Sequence, residues 1–148
     1  MHNWFEVKVS YDKMLENGMQ KKVTEPYLVD ALSHTEAEAR ATGELRPYIT
    51  GEFSIDSIRR MKLSELFFND AGDRFFKAKV SFITLDEKSG TEKKTGVQML
   101  AQASGIKEAL SVVEKGMDGT LADYTITALL ETPIMDVFPY HAPDEIKD

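Results

Sequence analysis

Residues 4–11 read WFEVKVSY and residues 75–82 read FFKAKVSF, the same alternating phrase written twice, 71 positions apart. In the first copy Phe5, Val7, Val9 and Tyr11 alternate with Glu6, Lys8 and Ser10; in the second, Phe76, Ala78, Val80 and Phe82 take the apolar places. A period of two belongs to a strand with one buried face, because successive side chains leave the pleated backbone on opposite sides. Each copy then enters a polar turn, LENGMQ at 15–20 and DEKSGT at 86–91, with a glycine able to take positive φ and a lysine pair beyond it. Both first strands therefore open hairpins. The returning strands are VTEPYLVDA and TGVQMLAQA; setting Tyr27, Val29 and Ala31 on Val97, Met99 and Ala101 gives an offset of 70, with one residue lost from the second loop.

Helices follow. SHTE at 33–36 makes a capping box, in which the Ser33 hydroxyl accepts from an early backbone N–H and Glu36 reaches back; Ser104 is expected to cap the second helix. Ile106, Ala109, Leu110, Val113 and Met117 fall at helical spacing as an apolar stripe, whereas the first helix offers mostly alanines and Leu45 and should pack more closely. Pro47 and Gly116 close the two helices. FSIDSIRRMKLSELF at 53–67 then aligns without a gap on YTITALLETPIMDVF at 124–138, again 71 positions on, pairing Phe53 with Tyr124, Ile55 with Ile126 and Phe67 with Phe138.

The segments add up to two tandem copies of a strand–strand–helix–strand unit, residues 4–68 and 75–139, joined by NDAGDR. One copy alone would expose an apolar sheet face and an unpaired edge. The expected architecture is α+β: a single domain over residues 1–140, with a mainly antiparallel sheet of about six strands, strongly curved or split into two halves, and two helices about a pseudo-twofold axis. Residues 141–148 are expected to form a flexible tail.

At 148 residues the chain suits one domain, and a chain of this length can bury roughly 68–70% of its unfolded surface. No apolar run approaches the roughly 20 residues that span a bilayer, and MHNWFEVKV lacks the basic-then-apolar order of a signal peptide, so a cytoplasmic location is expected. The absence of cysteine removes disulfides, thiolate nucleophiles and zinc-thiolate sites. Eighteen basic against 25 acidic side chains give a net charge of −7, which repels polyanions at long range unless a local basic patch overrides it.

No residue set identifies a reaction. His2, His34 and His141 show no metal-binding spacing and read as surface residues, and GxSxG, GxxxxGK[ST] and GxGxxG are all absent. No metal or cofactor is expected. Glu65 and Asp136 occupy equivalent places and could form an acidic pair at the twofold, two close carboxylates pushing their pKa values apart; the simpler reading is that each solvates an outer face. Trp4 and Phe75 begin the outer faces of strands carrying Lys8 and Lys79, with Lys21, Lys22, Lys93 and Lys94 on the hairpins. Exposed aromatics beside lysines can stack single-stranded bases; the simpler reading is a hairpin with solvated lysines that resists aggregation, its aromatics tucked under the neighbouring loop. Arg59 and Arg60 become Leu130 and Glu131 in the second copy, so a site built on them would be one-sided. Leu28, Leu32, Leu129, Leu130 and Met99–Leu100 break the alternation, so those second faces need a cover: the helices, the other half, or a second chain forming a homodimer.

In their order, WFEVKVSY, KKVTEPYLVDALSHTEAEA, ITGEFSI, FFKAKVSFITLDEKSGTEKKT and ADYTITALLETPIMDVFPY closely resemble an uncharacterised domain-of-unknown-function family of gut Bacteroidales bacteria and their phages, from residue 3 to about 140. The resemblance brings no assigned activity and no site residues; its phage context implies an accessory role near nucleic-acid transactions or host takeover. The expected function is a non-enzymatic intracellular binding or protein-interaction module. A phage-related or mobile-element-related protein binding single-stranded nucleic acid is the alternative, and a small enzyme at the repeat interface the third.

Overall fold

The computed structural model describes residues 3–139, so His2, His141 and the expected tail lie outside the described residues. The first alternating stretch is β1 (Trp4–Met14), which turns at Gly18 (φ 83°) into β2 (Gln20–Asp30). Helix α1 (His34–Leu45) follows, and β3 (Phe53–Met61) returns along the other side of β1. After the three-residue β4 (Glu65–Phe67) the pattern recurs as β5 (Arg74–Leu85), β6 (Glu92–Ala103), α2 (Ile106–Gly116), β7 (Asp123–Glu131) and β8 (Val137–Phe138).

These strands make two mixed sheets of four, ordered β3-β1-β2-β8 and β4-β6-β5-β7; of the curved and the split forms expected the structure has the split one, with eight strands in place of about six. Residues 53–67 and 124–138 each read as one strand, but each breaks, between Met61 and Glu65 and between Glu131 and Val137. Pro133 lies in the second break and has no amide for a ladder. The short piece beyond each break runs parallel to a return strand, β4 to β6 and β8 to β2. Among the described residues the chain accordingly divides into two compact units, one of residues 3–62 with 133–139, the other of residues 63–132. Each unit holds one helix and one sheet, and the short parallel strand of each comes from a different stretch of chain than its three long strands.

Within the sheets the registers run in step. Val9 faces Ile55 and Val80 faces Ile126, in both cases just past an irregularity that leaves out Asp56 and Thr127, again 71 positions apart. Phe5 faces Val29 and Phe76 faces Ala101, so the return strands are offset by 72, and the second turn is one residue longer rather than shorter. The sequence alignment was out by two residues, which in a strand preserves the face of every side chain. The same offset explains the helix caps: Ser33 accepts from Glu36 N at 3.1 Å, and its counterpart is Gly105, not Ser104. Ser104 instead donates through its backbone N and its hydroxyl to the Glu108 carboxylate, at 3.0 and 3.1 Å.

In the first unit Phe5, Val7, Val9, Tyr27, Val29 and Ala31 meet Ala37, Ala41 and Leu45 of α1. In the second, Ala78, Val80, Met99 and Ala101 meet Val113 and Met117, while Phe76 packs with Ala103 and Ala109. The faces turned from the helices are buried too, at Leu28 and Leu100, where broken alternation called for a cover, and at Trp4 and Phe75; Leu32 and Leu130 stay exposed. No helix among the described residues is long and apolar enough to cross a membrane.

Candidate functional site

The base-stacking site read from the sequence loses its rings. Trp4 and Phe75 do begin the faces turned from the helices, but they are only 4% and 3% exposed. Trp4 opens β1 and Phe75 is the second residue of β5, and at that burial neither ring is open to a base. Lys8, Lys21, Lys22, Lys79, Lys93 and Lys94 are all exposed. They do not converge: Lys22 faces Asp12 and shares the side of Lys8, four residues along and about 13 Å away, whereas Lys21 turns to the other side. Lys94 and Lys93 divide in the same way about Lys79.

The acidic pair also separates by unit. Glu65 opens β4 in the second unit, facing Met99; Asp136 precedes β8 in the first, where its carbonyl accepts from Leu28 N (3.0 Å) and its Oδ1 from Val137 N (2.8 Å). Both side chains are exposed, and that of Asp136 serves its own backbone. Arg59 is tied to Glu6 at 2.8 Å and Arg60 to Asn3 Oδ1 at 2.8 Å. The His34 ring stands edge-on to Phe5, centroids 4.9 Å apart. No group of three or more metal-ligating side chains occurs among the described residues.

Two polar clusters of the first unit escaped the sequence reading. Glu25 Oε1 accepts from Tyr11 OH at 2.8 Å and Tyr27 OH at 3.1 Å, and the Tyr27 ring stacks on Phe138. Burial first, then the hydrogen bond to Glu25 and its charge, push the Tyr11 phenol up to about 12, and burial and Glu25 raise Tyr27 in the same direction. At the β3 irregularity, Ser10 and Ser54 donate to Asp56, and Ser10 Oγ also lies 2.8 Å from Thr24 Oγ1. Those hydrogen bonds hold the Asp56 carboxyl below the usual carboxylate range. In the second unit the Tyr–Glu–Tyr positions are Phe82, Val97 and Met99. A phenol whose pKa is higher folded than unfolded supports folding in full below its unfolded value of 10.0 and loses that support as pH rises towards about 12. Urea titrations between pH 10 and 12 should therefore show stability falling, with a shallower fall in Tyr11→Phe; an unchanged slope in that variant would refute the assignment.

The second unit offers a different kind of surface. Strand β7 ends its sheet, and from Tyr124 to Leu130 it carries no charged residue, with Thr125, Thr127 and Leu130 exposed. The other terminal strands are blunted: β3 carries Asp56, Arg59 and Arg60, and β4 and β8 are only three and two residues long. Beside β7 runs a groove of about 350 Å³, walled by Ile106, Lys107 and Leu110 of α2 and by Ile126–Leu129. Ala109, Val113 and Met117 take the core side of the apolar stripe, which leaves Ile106 and Leu110 at 55% and 40% exposure over the groove. Offset by 72, the first unit has His34 and Glu38 there, so the surface is not repeated.

Residues 3–140 match the model of the family described as Domain of unknown function (DUF4494), and the chain belongs to that family. No curated protein and no solved structure matches the chain.

Proposed function

We propose that this DUF4494 member is a non-enzymatic binding module whose second unit takes an extended segment of a partner protein as an added strand along β7. The observation that carries the reading is a terminal strand uncharged from Tyr124 to Leu130, lying beside an apolar groove. An unpaired strand edge satisfies its N–H and C=O groups with another extended chain, and the groove supplies side-chain selectivity. Lys107, the charged member of the groove, favours a partner segment with apolar residues at alternate positions and one acidic side chain among them. The nucleic-acid alternative retains exposed lysines but has lost its stacking rings, and so rests on charge alone in a chain of net charge −7.

We infer as well that the two halves arose by tandem duplication of residues 4–68 and 75–139 and have since diverged. The recurring register and the irregularity shared at Asp56 and Thr127 support this, and the charges within β3 against the uncharged interior of β7 account for a one-sided site. The test is anisotropy of a labelled ten-residue peptide alternating valine and threonine around one glutamate, titrated with the full chain. Saturable binding is expected, weakened roughly tenfold or more when Ile106→Glu and Leu110→Glu put unpaired charges against the bound strand, and unchanged in Arg59→Ala on β3. Equal binding by the charged double variant would overturn the proposal.

A further inference from the structure

The second unit holds another cavity, and comparison with the first unit shows how it arises. In the first unit Arg40 reaches from α1 across the chain beyond β8, donating to the carbonyls of Phe138 at 3.3 Å, of Pro139 at 3.0 Å and of Asp30, with Glu44 3.8 Å away. The helix offset of 72 sets Val112 and Gly116 in the places of Arg40 and Glu44, while Leu66, Phe67 and Phe68 stand for Val137, Phe138 and Pro139. The two long side chains are thereby replaced by a short one and by none. Between α2 and the β4 segment lies a cavity of about 520 Å³, its walls including Leu66, Phe67, Phe68, Val112 and, at the polar end, Ser111 and Lys115. Gly116 is required for this shape, since a Cβ there would sit 2.5 Å from the Phe67 ring.

The geometry points to a binding site for a small amphipathic carboxylate, its hydrocarbon or aryl body against Leu66, Phe67 and Val112 and its anionic end at Lys115. The volume lies within the range of about 300–1,000 Å³ typical of small-molecule sites. The sign of the charge follows from the lining: Lys115 is its one charged side chain, and the other polar members are the Ser111 hydroxyl and Asn69, whose side-chain amide nitrogen donates to Glu108 at 3.0 Å.

Methyl-labelled full chain titrated with octanoate, and with 1-octanol as the neutral counterpart, tests the assignment by NMR. Saturable shifts are expected at the Leu66 and Val112 methyls. Lys115→Ala, an exposed change that leaves the fold alone, should weaken octanoate about two- to fivefold and leave octanol unchanged. Val112→Arg, which installs the side chain of the first unit, should abolish the Leu66 response to both. The proposal is overturned if nothing saturates, if the shifts centre on Ile106 and Leu110, or if octanoate is indifferent to both substitutions. The two grooves share no lining residue, so these outcomes do not depend on the strand-addition reading.

Discussion

Phe76→Ala is expected to lower the unfolding free energy by about 3–5 kcal/mol, the cost of removing a large buried aromatic and leaving its space unfilled. Phe76 is 1% exposed on the central strand β5, with Ala101 opposite it on β6 and Glu131 on β7. Its packed neighbours are Ala103, Ala109 and the partly buried Leu129. Two alanines fixed on a strand and a helix have no side chain to swing into the gap, so the upper half of that range is expected. Urea unfolding with an unchanged m-value measures it, and a loss under about 1 kcal/mol would contradict the place of Phe76 in the core.

Gly72→Ala is expected to cost about 1–3 kcal/mol or more for a different reason, which is overpacking against backbone. A Cβ on Gly72 would lie 2.4–2.6 Å from the backbone N, Cα and C of Ala103, atoms of a paired strand that cannot rotate away. The surrounding turn is fixed: Gly72 N donates to Asn69 O at 2.9 Å, Gln102 Nε2 to Gly72 O at 3.0 Å, and Asn69 N to Gln102 Oε1 at 3.0 Å. The substitution should therefore lower stability and speed hydrogen exchange at Asn69 and Gly72 together. Gly43→Ala is the control, because it lies in α1 with nothing within 4 Å of the added methyl and should stabilise by about 0.5–1 kcal/mol. Equal effects at the two sites would show that backbone entropy, not the close approach to Ala103, governs Gly72.

The alternation at 4–11 and 75–82 was enough to place the helix-facing side chains, and it survived a misjudged loop because an error of two leaves a strand's faces unchanged. Strand partners at long range were another matter. Nothing in the order of residues pairs Leu66 with Leu100 or Val137 with Leu28, so a split sheet could be named as one of two forms but its strand partners could not be read, although Pro133 marked one of the breaks. Trp4 and Phe75 were assigned the correct face, and of the two readings of their exposure the structure has the tucked one. Periodicity tells which way a ring points and says nothing of whether that face is covered, and the useful signal lay in Leu28 and Leu100, apolar on the second face of their strands. The Tyr11–Glu25–Tyr27 cluster was hidden because it forms only when the hairpin register sets Glu25 opposite Val9, between the two phenols. The groove was half legible: the stripe on α2 is wider than its core contact needs, and the excess is Ile106 and Leu110.

Amide hydrogen exchange of the full chain, with and without the saturating valine–threonine–glutamate peptide, tests the central claim most directly. Strand addition predicts slowed exchange confined to the outward amides of Asp123–Glu131, with those of Phe53–Met61 on the charged edge unchanged. Unaltered exchange in β7, or equal protection on β3, would contradict it.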